Sequence, residues 1–411
     1  MKQIVIIGAG QAGLSCAAKL RADGFEGEIT LIGNEKDAPY QRPPLSKAYL
    51  LGNLDAERLL LRPLTWYDQH QVDLRTGVAV ATIDRAGKAV TLSDGKSLSY
   101  DALVLATGAE ARPLPEDLLG GRSGVHTIRD RSDIEMMRPE LDAAQSVLVI
   151  GGGYIGLEMA AVARGLGLGV NVVEAAPALL GRVACRETAA AIAELHEERG
   201  VRLHIGQGVT ELTGETQVTG ARLADGTEIS ADVVIVGIGA APRTALAEAA
   251  GLDIANGILV DATGRTSDPA IYAAGDCACY RLPDGDLRLE SVGNAIDTGE
   301  VVAGSILESG AGYTPKPWFW SDQFDLKLQI AGRAQPGDMI VVRISTIGAR
   351  SHWYYRDGVL AAIDALNSPR AYQVGRKLIL DGLTPDPGAI ADPHRPIKDI
   401  FNETRAALFA R

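Results

Sequence analysis

An α/β chain with two Rossmann-like units and a C-terminal α+β domain is what this sequence predicts, and three observations predict it. An apolar strand runs into a glycine turn and a helix at residues 2–13, KQIVIIGAGQAG. The same plan returns at 146–160, SVLVIGGGYIGLEMA. From about residue 318 the pattern changes to short strands followed by one helix.

In each turn the first glycine (Gly8, Gly151) allows the tight bend. The second (Gly10, Gly153) lets backbone approach a pyrophosphate, and the third (Gly13, Gly156) lets helix and strand pack closely. The phosphates then sit on a helix N-terminus, where free N–H groups and the helix dipole favour negative charge. One such turn is an ordinary βα connection, but two strand-bracketed copies in one chain imply two dinucleotides.

Composition narrows the class. At 411 residues the chain has room for two or three domains, and 46% hydrophobic with 22% charged residues is ordinary for a globular protein. A net charge of -12 argues against nucleic acid or an anionic membrane as the main partner. No apolar run is long enough to span a bilayer, and the first residues carry no signal- or transit-peptide pattern, so a cytoplasmic protein is expected. The cysteines, Cys16, Cys185, Cys277 and Cys279, form no C-x-x-C or C-x-x-x-x-C pair, so neither a dithiol relay nor a metal site is expected.

After the first turn, residues 14–21 read as a helix and 28–32 as a strand, with Asn34 and Glu35 at the distance of a ribose-binding acid. Then PYQRPPLSKAYL (39–50) gives a rigid extended entry to a helix that Ser46 or a neighbour caps. It holds Arg42, a planar fork suited to a pyrophosphate, and Lys47, a point charge suited to lie beside a flavin ring. Short strands follow, with Val78 and Val80 returning towards the adenine side and a turn at Ser93-Asp94-Gly95. The buried strand of ALVLATGA ends on Ala106-Thr107-Gly108, small residues that let backbone come close to a ligand. Pro113 and Pro115 mark a crossover to a second unit.

That unit repeats the plan of the first. Glu174 ends its second strand; a carboxylate there accepts from both ribose hydroxyls of NAD and repels a 2′-phosphate, and no arginine follows it directly, which favours NADH over NADPH. LADGTEISADVVIVGIGAAP (223–242) echoes LSDGKSLSYDALVLATGAEARP (92–113), as expected of two folds of common design, each with a small antiparallel insert. DPAIYAAGDCA (268–278) ends an apolar run on Gly275-Asp276, a carboxylate placed to accept from sugar-alcohol hydroxyls, and 290–306 reads as a helix. In the last part, strands at 327–331, 339–343, 352–355 and 359–363 with a helix at 370–381 predict an antiparallel sheet. PWFWSDQ (317–323) lies ahead of it, crowding Trp318 and Trp320 into one segment.

RPPLSKAYL, GGGYIGLE, SDPAIYAAGDCA and PWFWSDQ together resemble the single-chain FAD-containing, NADH-dependent ferredoxin reductases of bacterial cytochrome P450 and aromatic-ring dioxygenase systems, over almost the whole chain. The resemblance implies a glutathione-reductase-like architecture: an FAD domain at 1–113 and 243–317, an NAD domain at 114–242, and a C-terminal domain at 318–411. It implies that Gly8, Gly10, Ala12 and Gly13 hold the FAD pyrophosphate, Glu35 or Asn34 the ribose, Val80 the adenine, and Asp276 the ribityl chain. Arg42, Lys47, Ala106, Thr107, Gly108, Arg129 and Val292 complete that site, with Trp320 beside the ring system; IRDRSD around Arg129 departs from the threonine-rich turn expected there. For NAD it selects Gly151, Gly153, Tyr154, Ile155, Gly156, Glu174, Arg182 and Gly239, with Glu158 facing Lys47 across the flavin.

The activity implied is hydride transfer from NADH to FAD, then release of single electrons to an acidic [2Fe–2S] ferredoxin. Because this chain is acidic too, docking needs a local basic patch, expected from Arg62, Arg288 and Lys398. The expected unit is a monomer or a weak dimer. An NADH oxidase or quinone reductase on the same scaffold, and a redox-gated binding flavoprotein of the apoptosis-inducing type, are the alternative readings.

Overall fold

Both glycine turns leave the middle strand of a five-stranded parallel sheet. The computed structural model describes residues 1–181, 183–345 and 349–409. They divide into two compact units, one of Met1–Pro44, Leu54–Glu110 and Ala240–Pro315, the other of Leu45–Asn53, Ala111–Gly239 and Lys316–Arg411.

In the first unit the sheet order is Ile271–Ala273, Ala102–Leu105, Gln3–Ile7, Glu28–Ile32, Val72–Arg75, every pairing parallel. The strands are apolar because both faces are covered. On one face Ile4 and Ile6 pack with Leu14, Ala17 and Leu20 of the helix Gln11–Ala22 and with Val302 and Ile306 of the helix Val292–Ile306. On the other, Val5 and Leu103 join Val90 and Leu92 of the small sheet Val80–Asp84, Ala89–Leu92, Ser97–Ser99. The Ser291 hydroxyl caps Val292–Ile306 by accepting from the Asn294 amide at 3.1 Å, so this helix begins two residues later than the pattern suggested.

The second unit repeats the arrangement in the order Val201–Ile205, Gly169–Glu174, Ser146–Ile150, Val233–Val236, Val125–Thr127, again all parallel. The echo between residues 92–113 and 223–242 extends to single hydrogen bonds. In the first hairpin the Leu92 amide donates to the Lys96 carbonyl, and Asp94 accepts from the Lys96 amide. Leu223, Thr227 and Asp225 do the same in the second. Asp101 accepts from the amides of Lys2 and Gln3, and Asp232 from those of Gln145 and Ser146, so one carboxylate pins the start of each central strand. These amides hold both carboxyls below the usual range.

The rest of the second unit is an antiparallel sheet ordered Trp318–Gln323, Leu326–Gly332, Val359–Leu366, Arg350–Arg356, Met339–Ile344, with the helix Pro369–Leu380 packed on it through Ile363 and Leu378. All four expected strands and the helix are present. PWFWSDQ is not a lead-in to the sheet but its edge strand, with Trp320 opposite Gln329 and Ser321 opposite Leu328. Leu328, Ile330 and Leu366 share a core with Leu157, Leu179 and Ile192. Among the described residues no helix is long and apolar enough to cross a membrane.

Candidate cofactor and electron-transfer site

The two glycine turns have the same surroundings. A Cβ on Gly8, whose φ is +117°, would lie 2.0 Å from the Ala106 carbonyl oxygen, and one on Gly13 would lie 2.0 Å from the Gly8 oxygen. In the second turn Gly151, at φ +110°, would meet the Gly237 oxygen at 2.4 Å, and Gly156 the Gly151 oxygen at 2.1 Å. The middle glycines differ. Among the described residues a Cβ on Gly10 meets nothing within 4 Å, and one on Gly153 only the Gly237 oxygen, at 3.8 Å. The fold itself therefore demands the first and third glycines, while the second keeps a space clear. Gly10 and Gly153 are also the N-caps of Gln11–Ala22 and Tyr154–Gly165, and neither helix has a capping side chain or an acid in its first turn. Open space, uncapped helix N–H groups and no acid in the first helical turn are what a pyrophosphate needs, so both turns fit a dinucleotide.

A glutamate stands near each turn. Glu174, ending Gly169–Glu174, accepts from the Gly152 amide and from the Ala176 amide, both at 2.6 Å, so its carboxylate is tied directly to the turn. Glu35 accepts from the Tyr40 hydroxyl at 2.5 Å and pairs with Arg42 at 2.5 Å. Arg42, expected on a pyrophosphate, thus forms a charge-assisted pair with the candidate ribose acid. Tyr40 was not foreseen. Asn34 is exposed.

Of the other flavin candidates of the first unit, Ala106, Thr107 and Asp276 fall near the first turn. Ala106 supplies the oxygen against Gly8, the Thr107 hydroxyl donates to the Arg243 carbonyl at 2.7 Å, and the Gly108 carbonyl accepts from the Arg243 amide at 2.9 Å. Asp276 is in the short helical turn Gly275–Cys277; a Cβ on Gly275 would sit 2.8 Å from that of Ala12, which sets Asp276 beside the helix N-terminus. Val292 opens Val292–Ile306, and Val80 opens Val80–Asp84.

In the second unit the expected helix after the prolines is a single irregular turn over Leu45–Tyr49, broken at Lys47. Ser46 does not cap it. Its hydroxyl donates to Glu158 at 2.9 Å, while Lys47 pairs with the same carboxylate at 2.8 Å. Lys47 and Glu158 therefore touch each other instead of facing one another across a ring system. Glu158 is buried on Tyr154–Gly165, and its other oxygen neighbour is the Ser321 hydroxyl at 2.8 Å. Tyr154 packs against Phe319 with its ring tilted by 32° and the centroids 4.1 Å apart, and Trp318 stacks on Trp320 at 5.3 Å. Ile155 and Ile238 are exposed apolar side chains next to the second turn, and Gly239 follows with φ +109°. The amide of Arg129 donates to Asp133, which forms a reciprocal cap with Asp130 on the helix Arg131–Ala143; this cap takes the place of the threonine-rich turn.

Residues 2–299 match the model of the pyridine nucleotide-disulphide oxidoreductases, and 318–401 match a reductase C-terminal domain. The chain belongs to the pyridine nucleotide-disulphide oxidoreductase family. It is 40% identical over 410 residues to a ferredoxin–NAD(P)(+) reductase of a Sphingomonas species, covering 98% of each chain. It is 39% identical over 413 residues to putidaredoxin reductase of Pseudomonas putida, again with 98% of each covered. A crystal structure of the covalent putidaredoxin reductase–putidaredoxin complex superposes with a TM-score of 0.94 at 38% identity, over 98% of this chain and 99% of that one.

For a member of this oxidoreductase family, the thiols are distinctive. All four cysteines are free and Cys16, Cys277 and Cys279 are buried; burial pushes the Cys16 thiol up to about 12. Among the described residues there is no dithiol. Cys185, His352 and Asp364 bring ligand-type atoms within 4.8 Å of one another, but the Thr188 hydroxyl sits among them, 3.3 Å from the thiol, 2.6 Å from His352 Nδ1 and 2.8 Å from Asp364. This is a hydrogen-bonded cluster with its centre filled. Arg182 lies outside the described residues. Of the docking cations, Arg62 and Lys398 are exposed. Arg288 is not a free surface charge: its side chain is 9% exposed, pairs with Glu290 and donates to the Asp276 carbonyl at 3.2 Å.

Proposed function

We propose that this chain is a FAD-dependent NADH:ferredoxin reductase serving a cytochrome P450 or dioxygenase system. The observation that carries the reading is the pair of glycine turns, each with two glycines required by packing and one that opens onto free space at a helix N-terminus, in a chain with no dithiol among its described residues. FAD, when bound, takes a hydride from NADH and gives up electrons singly.

Residues 1–113 and 243–317 hold FAD, 114–242 hold NADH and 318–411 form the C-terminal domain. Gly8, Gly10, Ala12 and Gly13 bind the FAD pyrophosphate through backbone; Glu35 or Asn34 binds the ribose, Val80 the adenine and Asp276 the ribityl hydroxyls, and Arg42 completes the FAD site. Ala106, Thr107, Gly108, Arg129, Val292 and Trp320 line the ring system. Gly151, Gly153, Tyr154, Ile155 and Gly156 bind the NADH pyrophosphate, Glu174 its ribose hydroxyls, and Arg182 and Gly239 complete the seat. Lys47, held by Glu158, presents a fixed positive charge to the charge that shifts during hydride transfer. The acidic ferredoxin docks through Arg62 and Lys398, and Arg288 holds the Asp276 backbone instead. The free cysteines support a cytoplasmic setting.

The test is NADH-driven cytochrome c reduction by the yellow holoprotein with and without a panel of [2Fe–2S] ferredoxins. A large gain with one ferredoxin is expected, together with loss of that gain but not of ferricyanide reduction in Arg62→Glu or Lys398→Glu. Full-speed NADH consumption with oxygen or a quinone, and no gain from any ferredoxin, would establish the oxidase reading instead.

A further inference from the structure

A run of buried polar side chains leads away from Glu158 and is used by nothing described above. Ser321 donates to Glu158 Oε1 at 2.8 Å, Gln323 Nε2 lies 3.1 Å from the Ser321 hydroxyl, and His196 Nε2 lies 2.9 Å from Gln323 Oε1. Ser321, Gln323 and His196 are each 0% exposed, and Glu158 is 5% exposed. The three come from two elements, the strand Trp318–Gln323 and the helix Arg186–Glu198.

The direction of every hydrogen bond follows from the first. A carboxylate paired with a lysine only accepts, so the single Ser321 proton goes to Glu158. The Ser321 oxygen must then accept from the Gln323 amide NH₂. That turns the Gln323 carbonyl oxygen towards His196, which must donate from Nε2 and leaves Nδ1 as the unprotonated nitrogen. Nδ1 is buried with no hydrogen-bond partner among the described residues, and burial pushes the imidazole below its ordinary range, both of which suit a neutral ring in this tautomer. Every donor in the chain points to Glu158.

We propose that His196, Gln323 and Ser321 are positioning residues for hydride transfer: a one-way chain of donors that fixes the Glu158 carboxylate and, through it, the Lys47 ammonium. This rests on the reading of Lys47 as the charge presented to the flavin. A buried carboxylate with a single lysine partner has several rotamers open to it. With Ser46 on one oxygen and the polarised Ser321–Gln323–His196 chain on the other, it has one. Trp320 is the residue before Ser321 and points to the opposite face of the same strand, so one backbone segment carries both.

The test uses FAD-loaded protein and stopped-flow bleaching of the flavin by NADH. Ser321→Ala and Gln323→Leu each lower the limiting reduction rate roughly tenfold while the apparent Kd for NADH stays within about twofold. Ser321→Thr, which keeps the hydroxyl, restores most of the rate. In a Glu158→Gln background the same changes add less than about twofold, because the group they act through is already altered. If Ser321→Ala does not take up FAD, Gln323→Leu carries the same expectation. Wild-type reduction rates in both variants, or effects that multiply in the Glu158→Gln background, would overturn the proposal and leave the reductase reading intact. Failure of the wild-type flavin to be bleached by NADH would overturn both.

Discussion

The Lys47 ammonium lies 2.8 Å from the Glu158 carboxylate, with the glutamate side chain 6% exposed and the lysine 21%. Removing the cation alone strands a buried negative charge, whereas removing both charges does not. Lys47→Met is therefore expected to destabilise the holoprotein by about 2 kcal/mol, a figure reduced for the exposure of the lysine. The double variant Lys47→Met/Glu158→Gln should recover at least half of that loss. Denaturation followed by flavin release measures it; equal stability of the single and double variants would refute the pair as a stabilising unit.

The glycine geometry separates folding from binding. Gly8→Ala and Gly151→Ala place a methyl inside a carbonyl oxygen and at positive φ, and should give little folded protein. Gly10→Ala meets no atom of the described residues within 4 Å, and alanine for glycine at an N-cap costs about 1 kcal/mol or less. It should fold and come out colourless. Gly153→Ala should keep its flavin and raise the KM for NADH roughly tenfold or more, since a methyl there enters the open space at the helix N-terminus that the proposed NADH seat uses. Flavin content per chain and NADH titration read these outcomes, and a yellow Gly10→Ala protein with native FAD affinity would contradict them.

Much of this was legible in the chain because it is carried by local, periodic signals. The turns announce themselves by glycine spacing after an apolar strand, and the repeated LxDG and ATG or GIG endings mark the inserts. The polar chain on Glu158 was not legible. Ser321, Gln323 and His196 are common residues, and the partners in two of the three bonds stand 163 and 127 positions apart. One cue was available: Ser321 and Gln323 alternate with Trp320 and Asp322, the period of a strand, but polar residues on the buried face hid it. The misplacement of Arg288 has a similar cause. An arginine in a polar stretch reads as surface, and only the fold brings the Asp276 carbonyl to it.

Glu174 offers a test of nucleotide choice. Its carboxylate is held on the amides of Gly152 and Ala176, which fixes it next to the open space at Gly153 and leaves lone pairs for two ribose hydroxyls. Glu174→Ala removes both the acceptors and the charge that repels a 2′-phosphate. The kcat/KM ratio of NADH to NADPH is expected to fall by roughly tenfold or more, mainly through loss of NADH binding. An unchanged ratio would move selectivity to another residue.

Two buried groups in the second unit should titrate against each other. Asp364 accepts from the hydroxyls of Tyr354 and Thr188, yet burial outweighs both and pushes its carboxyl up to about 6 from 3.8. His352, whose Nδ1 lies 2.6 Å from the same Thr188 hydroxyl, is pushed down from 6.5 to about 4 by burial, with Glu187 opposing and Arg350 assisting. Between about pH 4 and 6 the folded state binds more protons at Asp364 than the unfolded chain, so this group's contribution to stability falls as pH rises. Between about pH 4 and 6.5 the folded state binds fewer protons at His352, so its contribution rises with pH. Each is worth about 3 kcal/mol across its window, and in the native protein the two slopes largely cancel. Asp364→Asn should leave the histidine slope alone, so that the variant's stability relative to wild type falls by about 3 kcal/mol as pH drops from 6.5 to 4. His352→Gln should do the reverse and gain relative stability on acidification. Urea denaturation followed by the fluorescence of the buried Trp353 at several pH values compares them, and parallel pH–stability curves for the two variants would show that the acid and the imidazole do not oppose one another.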